Sequence, residues 1–358
     1  MEIREFITRP CVLRKDDPTW KFALGASSTI QGIIVQLVAA DGVVGFGYAG
    51  ASPHMGSIAT GLQAELDYFK PNVLGHDADG IGTIMASLDR RLRGASQAKA
   101  AIDCALHDLL ARRLNVPMHQ LFGGKFRDFV PVLRILAIKS PEEMADQAEK
   151  LVRQGYSYLK IKADGNVSED VSRVAAIRRR IGDDVHLTVD ANQSYTVKNA
   201  IAAISRMAEF KIDLVEQPVH ADDFEGLALV TRSVPVTIEA DESAGSLEEI
   251  YRLVSKRAVD AVSLKIPKLG GLRKTIAAAQ LCEQAGVSYR LGAAVGSRLL
   301  AAHALHMACS LRDVSYACEL GEFSRLLDDP FTGLEVIKGE IRLPHAQGCG
   351  VTPAEASC

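Results

Sequence analysis

Five ionisable residues recur at near-equal spacing along the second half of the chain: Lys162, Asp190, Glu216, Asp241 and Lys265. Successive gaps are about 28, 26, 25 and 24 residues, close to the strand-plus-helix repeat of a βαβ chain. Each residue closes a short run that reads as a buried parallel strand, at 158–162, 185–190, 213–216, 236–241 and 261–265. If those strands close into a barrel, all five residues converge on its carboxyl-end face, where barrel active sites lie.

The residue types then suggest a chemistry. Three carboxylates brought together repel, and one takes up a proton unless a cation resolves the conflict. A hard divalent ion does so, with water and a substrate carboxylate completing an octahedron. Separate salt bridges or helix caps are the plainer use of each acid taken alone; the shared register argues for the set. Lys162 and Lys265 fall on the second and sixth strands, on opposite sides of a barrel. A carbon between them can lose a proton to one and gain one from the other, with the metal stabilising the enediolate between. A solvated lysine is a poor base at neutral pH, so its pKa has to fall. The cation and the ammonium of Lys160, which shares a strand face with Lys162, would both push it down. A plain ion pair is the other reading of Lys160. Lys268 reads as a supporting charge.

The elements that must position these groups are legible. Residues 30–38 and 43–48 read as two strands around Asp41-Gly42, a hairpin signal. A polar stretch with the single tryptophan, Trp20, precedes them, and a loop at 50–56 follows. Helical patterns at 58–69, 81–92 and 97–113 complete an α+β unit, expected as a separate domain over residues 1–126. From residue 130 the order becomes strand, helix, strand. The first strand is expected at 130–138, a seventh at 288–291 and an eighth at 314–318, with helices between the earlier strands. The expected fold is α/β: a modified TIM (β/α) barrel over 127–327 with an α+β capping domain, and a turn-rich segment at 328–358.

Composition narrows the classes. A formal net charge of -3 leaves no basic footprint for nucleic acid, and no apolar run is long enough for a membrane span. The first residues do not resemble a signal peptide. The seven cysteines cannot all pair within the chain and show no CxxC, which fits reduced thiols and a cytoplasmic location. A homo-oligomer is expected.

The motifs Lys160-Ile161-Lys162, Val189-Asp190-Ala191-Asn192, Val215-Glu216-Gln217-Pro218, Ala240-Asp241-Glu242-Ser243 and Lys265-Ile266-Pro267-Lys268-Leu269-Gly270-Gly271 resemble the enolase superfamily, muconate lactonizing enzyme subgroup. The resemblance covers nearly the whole chain. It implies Mg²⁺ (or Mn²⁺) on Asp190, Glu216 and Asp241, lysines as acid and base, a small-molecule carboxylate substrate, and a tail that straps back onto the capping domain. It also places His54, otherwise a loop histidine, near a substrate lid. Trp20 becomes a lid aromatic or simple packing, and Asn192 a ligand-orienting or turn residue. Glu239 shares a strand face with Asp241 and reads as support, while His186, further back on its strand, reads as a core histidine.

Dipeptide epimerases of the subgroup usually carry Asp-x-Asp on the eighth strand to bind an ammonium. This chain has Cys318-Glu319-Leu320-Gly321-Glu322, so Glu319 or Glu322 would have to meet any cationic group. The leading expectation is a metal-dependent racemase or epimerase acting α to a carboxylate on an amino-acid-derived substrate. Cycloisomerisation, or dehydration of a hydroxylated amino acid such as a hydroxyproline, would use the same site. A Schiff-base aldolase on Lys265 is a different class; it needs no metal and leaves the three acids unexplained. A barrel kept only for binding leaves both acids and lysines unexplained.

Overall fold

The structure, a computed structural model, describes residues 1–354. Its first half is built on an antiparallel sheet. β1 (Ile3–Lys15) pairs with β4 (Thr29–Ala39), which pairs with β5 (Val44–Gly50); two short strands, β2 (Lys21–Phe22) and β3 (Gly25–Ala26), form a small hairpin between β1 and β4. β1 was not expected from the sequence. Its buried residues change face along the strand, Ile3 and Phe6 entering the cap core and Cys11 and Leu13 the core on the other side, and they are interrupted by charges, by a register shift near its start and by Pro10. Pro10 is tolerated because β1 has a second neighbour only at Arg14 and Lys15.

Helices α1 (Ala59–Phe69), α2 (Ile81–Arg91) and α3 (Ser96–Arg113) cover the sheet and share its core. α3 lies so close to β5 that a Cβ on Gly47 would come within 1.9 Å of the Ala101 carbonyl oxygen. A side chain there would push the helix off the sheet.

The second half alternates as expected. Its elements are β6 (Phe129–Pro131), β7 (Arg134–Leu136), α4 (Pro141–Arg153), β8 (Tyr158–Lys162), α5 (Val167–Ile181), β9 (His186–Asp190), α6 (Val197–Met207) and β10 (Leu214–Glu216). They continue with α7 (Phe224–Ser233), β11 (Thr237–Ala240), α8 (Leu247–Ser255), β12 (Ala261–Lys265), the short α9 (Ile266–Leu269), α10 (Leu272–Ala285), β13 (Ser288–Gly292) and α11 (Arg298–Ser310). β7 to β13 form one parallel sheet in sequence order.

Two expectations are corrected here. The strand expected at 130–138 is split: β6 leaves the barrel ladder and pairs antiparallel with β16 (Glu340–Arg342), and only β7 joins the parallel sheet. Pro131 has no N–H to give a ladder, and its carbonyl accepts from Cys318 N instead. The eighth strand does not form as a ladder. Single parallel bridges join Val314 to Tyr289, Glu319 to Gly292 and Cys318 to Val132. Six residues there, 314–319, span the distance of four on β13, 289–292, so the segment bows out while still closing the curled sheet. The fold is therefore TIM-barrel-like, with a separate antiparallel capping unit.

The tail returns to the capping unit. β14 (Leu326–Leu327) pairs with β1, and β15 (Phe331–Thr332) pairs with β17 (Thr352–Pro353). Phe331 meets Phe46, Arg112 donates to Val351 O at 2.9 Å, and Cys349 N donates to Asp108 at 2.7 Å. The last four residues of the expected strap, 355–358, lie outside the described residues. No described helix is long and apolar enough to cross a membrane, and the six described cysteines are unpaired.

Candidate active site

Five strand ends deliver the side chains. Asp190 and Glu216 end adjacent strands as register partners, and Asp241 follows β11 directly. Lys162 and Lys265 end β8 and β12, on either side of them. A cavity of about 460 Å³ opens above these ends, lined by Lys160, Lys162, Asp190, Asn192, Asp241, Lys265 and Glu319 from the barrel. The capping unit closes it with Trp20, Phe22 and His54. Phe22 and His54 meet edge-on at 5.5 Å, joining the β2–β3 hairpin to the single turn at Pro53–Met55. Trp20 is buried against Leu133, Ile135, Ala137 and Ala317, so it packs and lines the cavity at once.

The charges interlock. The Lys160 ammonium contacts Glu216 at 2.6 Å, Asp190 at 2.9 Å and Glu319. Lys162 donates to Asp190 at 2.5 Å and to Asn192 Oδ1 at 2.8 Å. Lys265 reaches Asp241 at 2.5 Å, and Lys268 donates to the other Asp241 oxygen at 2.7 Å and to its carbonyl at 2.5 Å. Burial alone would lower Lys160 and Lys265, but the surrounding carboxylates outweigh it and hold both above the ordinary lysine value. Asp241 spends its charge on Lys265, whereas the fall expected from the sequence relies on a cation beside the lysine. Burial and then the Asp190 charge push Glu216 well up, while Lys160 and Lys162 overcome burial to hold Asp190 down. Glu319 is held at about 2: burial opposes ionisation, and Lys160 and Lys265 more than offset it.

As arranged, no three His, Cys, Asp or Glu side chains among the described residues close around one metal position. The donor set nonetheless suits a hard cation: three carboxylates on consecutive strand ends, with Glu216 Oε1 buried and without any partner.

Several positioning residues escaped the sequence reading. Arg290, on β13, is completely buried; it donates to Glu216 at 2.5 Å and to Glu239 at 2.6 Å and 3.0 Å. Glu239 thus acts through Arg290. Gln217 bridges two strand ends: its Oε1 accepts from the backbone N–H groups of Asp241 and Ser243, at 2.9 and 3.0 Å. Asn192 bonds Lys162 and Glu242 from a backbone with φ of 40°, which joins its turn role to its orienting one. Gly292 is needed because a Cβ there would lie 2.8 Å from Lys265 Cε. Two expectations fail. His186 is half exposed at the far end of β9, stacked on Tyr158 at 4.6 Å, and is no core histidine. Glu322 turns away from the cavity to Ile135 N, Arg134 and Arg325.

Comparison with known proteins bears on this geometry. Residues 6–123 match the mandelate racemase / muconate lactonizing enzyme N-terminal domain, and residues 143–357 match the enolase C-terminal domain-like family. The chain belongs to this family. A hydrophobic dipeptide epimerase of Enterococcus faecalis is 32% identical over 98% of this chain and 100% of its own. The crystal structure of a dipeptide epimerase from Enterococcus faecalis, complexed with Mg and the dipeptide L-Leu-L-Tyr, superposes with a TM-score of 0.94 at 32% identity, covering 98% of this chain and 100% of that one. An N-succinyl Arg/Lys racemase from Bacillus cereus superposes with a TM-score of 0.96 at 29% identity, covering 100% and 97%. A chloromuconate cycloisomerase of Cupriavidus necator is 36% identical over 90% of this chain and 89% of its own. With such relatives the chain is an enolase-superfamily isomerase.

Proposed function

We propose that the protein is a Mg²⁺-dependent racemase or epimerase that moves the proton α to a carboxylate, on an N-acyl amino acid or dipeptide. The observation that carries this is the placement of Lys162 and Lys265 on the ends of β8 and β12, facing one cavity with the acid-bearing ends between. A carbon held there is approached on two faces. One lysine, when neutral, takes the proton, and the other, as ammonium, delivers one from the opposite side. Asp190, Glu216 and Asp241 are the residues that would hold the metal. When bound, Mg²⁺ supplies Lewis-acid stabilisation of the negative charge left on the substrate carboxylate.

The chain's own residues do the rest. Lys265, held charged by Asp241, is set to deliver a proton; it serves as a base only when the charge of Asp241 is drawn elsewhere. Lys160 supports the site by holding Asp190, Glu216 and Glu319 together, with its own ammonium fully engaged. Asn192 steers Lys162, and Trp20, Phe22 and His54 keep water from the cavity. In this reading residues 1–126 are the cap, 127–327 the barrel and 328–358 the strap.

A cycloisomerase reading is favoured by the 36% identity to the chloromuconate enzyme. It requires one lysine to carry the proton and the other to act as a charge. Incubating the Mg²⁺-loaded protein with N-acyl amino acids, dipeptides and muconates in deuterated water distinguishes the two. Deuterium at the α-carbon of both enantiomers is expected; lactone formation without α-exchange would overturn the racemase reading.

A further inference from the structure

The barrel helices, apart from the single turn α9, mostly start on a side chain of their own. Ser140, Asn166, Thr196, Asp223, Ser246 and Ser297 each accept from a backbone N–H in the first turn of α4, α5, α6, α7, α8 and α11. α10, which follows the Lys265 loop, does not: Gly271 stands at its N-cap position, and its first turn holds no acid. Its acceptor comes from the capping unit. Asp103, in the middle of α3, is 1% exposed, and its Oδ2 accepts from Leu272 N at 2.6 Å. Gly271 allows the approach: its φ is 135°, and a Cβ there would lie 2.6 Å from the same oxygen.

A buried carboxylate is costly unless something offsets its charge. No lysine or arginine among the described residues lies within ion-pair distance of Asp103. Its polar neighbours are His107 Nδ1, 3.5 Å from Oδ1, and the start of α10, whose free N–H groups and dipole favour an anion. From there hydrogen bonds lead to the reacting lysine. Gly270 N and Gly271 N both donate to the carbonyl of Ile266 at 3.1 Å, and Ile266 follows Lys265 directly. Lys268, in the same turn, donates to Ser263 O at 2.9 Å and to the carbonyl and carboxylate of Asp241. Lys162, by contrast, is held from within the barrel, by Asp190 and Asn192.

We propose that Asp103 is a positioning residue for Lys265: from the capping unit it fixes the start of α10 and, through the Gly270-Gly271 turn, the place of this lysine against the α-carbon. Asp103 does not line the cavity, so it reaches the reaction only through that turn. The assignment rests on Lys162 and Lys265 serving opposite faces, as proposed above, and it adds that one face alone depends on the cap. A displacement of about 1 Å at a reacting group costs on the order of 100-fold in rate, so a small shift of the turn suffices. A purely structural part for Asp103 would slow both faces together.

The test compares the full-length, Mg²⁺-loaded native protein with Asp103→Ala and Asp103→Asn in two ways. One is the initial rate of α-proton exchange in deuterated water, on N-acetyl-L-leucine and N-acetyl-D-leucine separately; the other is backbone amide exchange read by mass spectrometry. Lys162→Ala identifies the enantiomer that Lys265 serves. Asp103→Ala should slow that enantiomer by roughly 10–100-fold and leave the other unchanged. Its amide exchange should quicken at residues 266–273 by at least about tenfold, with β8 unaffected. Asp103→Asn keeps an acceptor oxygen and caps a helix as well as aspartate does, so it should behave as the native protein in both. Leu272→Pro removes the donor instead and leaves Asp103 in place; proline suits the first position of a helix, and this variant should reproduce the one-sided loss even if Asp103→Ala does not fold. Equal slowing of both enantiomers, no slowing of either, or unaltered amide exchange at 266–273 would overturn the proposal. If the native protein exchanges neither enantiomer, the racemase reading falls, and amide exchange at 266–273 still decides whether Asp103 holds the turn.

Discussion

Replacing Arg290 by methionine removes the cation that joins two buried glutamates. Glu239 and Glu216 are both fully buried, and Arg290 gives Glu239 three hydrogen bonds and Glu216 one. Glu216 keeps Lys160 at 2.6 Å, but the Glu239 carboxylate has no other cation within ion-pair distance among the described residues. Removing one partner of a buried pair costs about 3–5 kcal/mol, because the remaining charge is stranded away from water. Against a typical stability of about 5–15 kcal/mol the variant still folds. Its urea midpoint should fall by about 1 M or more. Combining Arg290→Met with Glu239→Leu removes the stranded charge and should recover more than half of the loss. Mn²⁺ affinity, read by calorimetry on the folded single variant, should fall by roughly 10–100-fold, since Arg290 orients the Glu216 carboxylate. A cost below about 1 kcal/mol, or a double variant no more stable than the single one, would refute the claim that Arg290 neutralises this pair.

Two further outcomes follow from other parts of the molecule. Gly292→Ala should press on Lys265 through the 2.8 Å approach to its Cε and lower kcat by roughly 100-fold, with a small change in the urea midpoint; unaltered kcat would show that the lysine has room to move. His306, on α11, is buried against the returning tail: its Nδ1 accepts from His119 N, and its Nε2 faces Cys349 O at 3.2 Å. Burial, and then His119, push it down to about 3. The unfolded chain takes up this proton near pH 6.5 and the folded chain does not. Its contribution is therefore complete above about pH 6.5 and fades as pH falls toward 3, by about 1.4 kcal/mol per unit. His306→Gln should flatten the loss of stability between pH 6.5 and 5 by about one proton, measured by urea melts; an unchanged slope would contradict it.

The acids and lysines were readable because each closes an apolar run at the βαβ period, so one register placed five groups on one barrel face. Glu239 was placed on the right strand face, but its partner Arg290 lies 51 residues away and is recognisable only once the strands are side by side. Gln217 works through backbone N–H groups, which leave no trace in residue type. His186 shows the limit of a period of two: it gives the face of a strand and not the depth, and this residue sits at the open amino end. α11 was missed because nearly every position is buried, leaving no polar stripe to mark a helix. The bowed segment at 314–319 is held by single bridges and side-chain packing, which alternation cannot reveal.

The most direct measurement is α-proton exchange in deuterated water, followed by NMR on each enantiomer separately, for Lys162→Ala and Lys265→Ala shown to be folded and Mg²⁺-loaded. Each variant should lose turnover and retain exchange of one enantiomer only, with the opposite enantiomer surviving in the other variant. Exchange of the same enantiomer by both variants would contradict the two-face placement of these lysines and the racemase assignment with it.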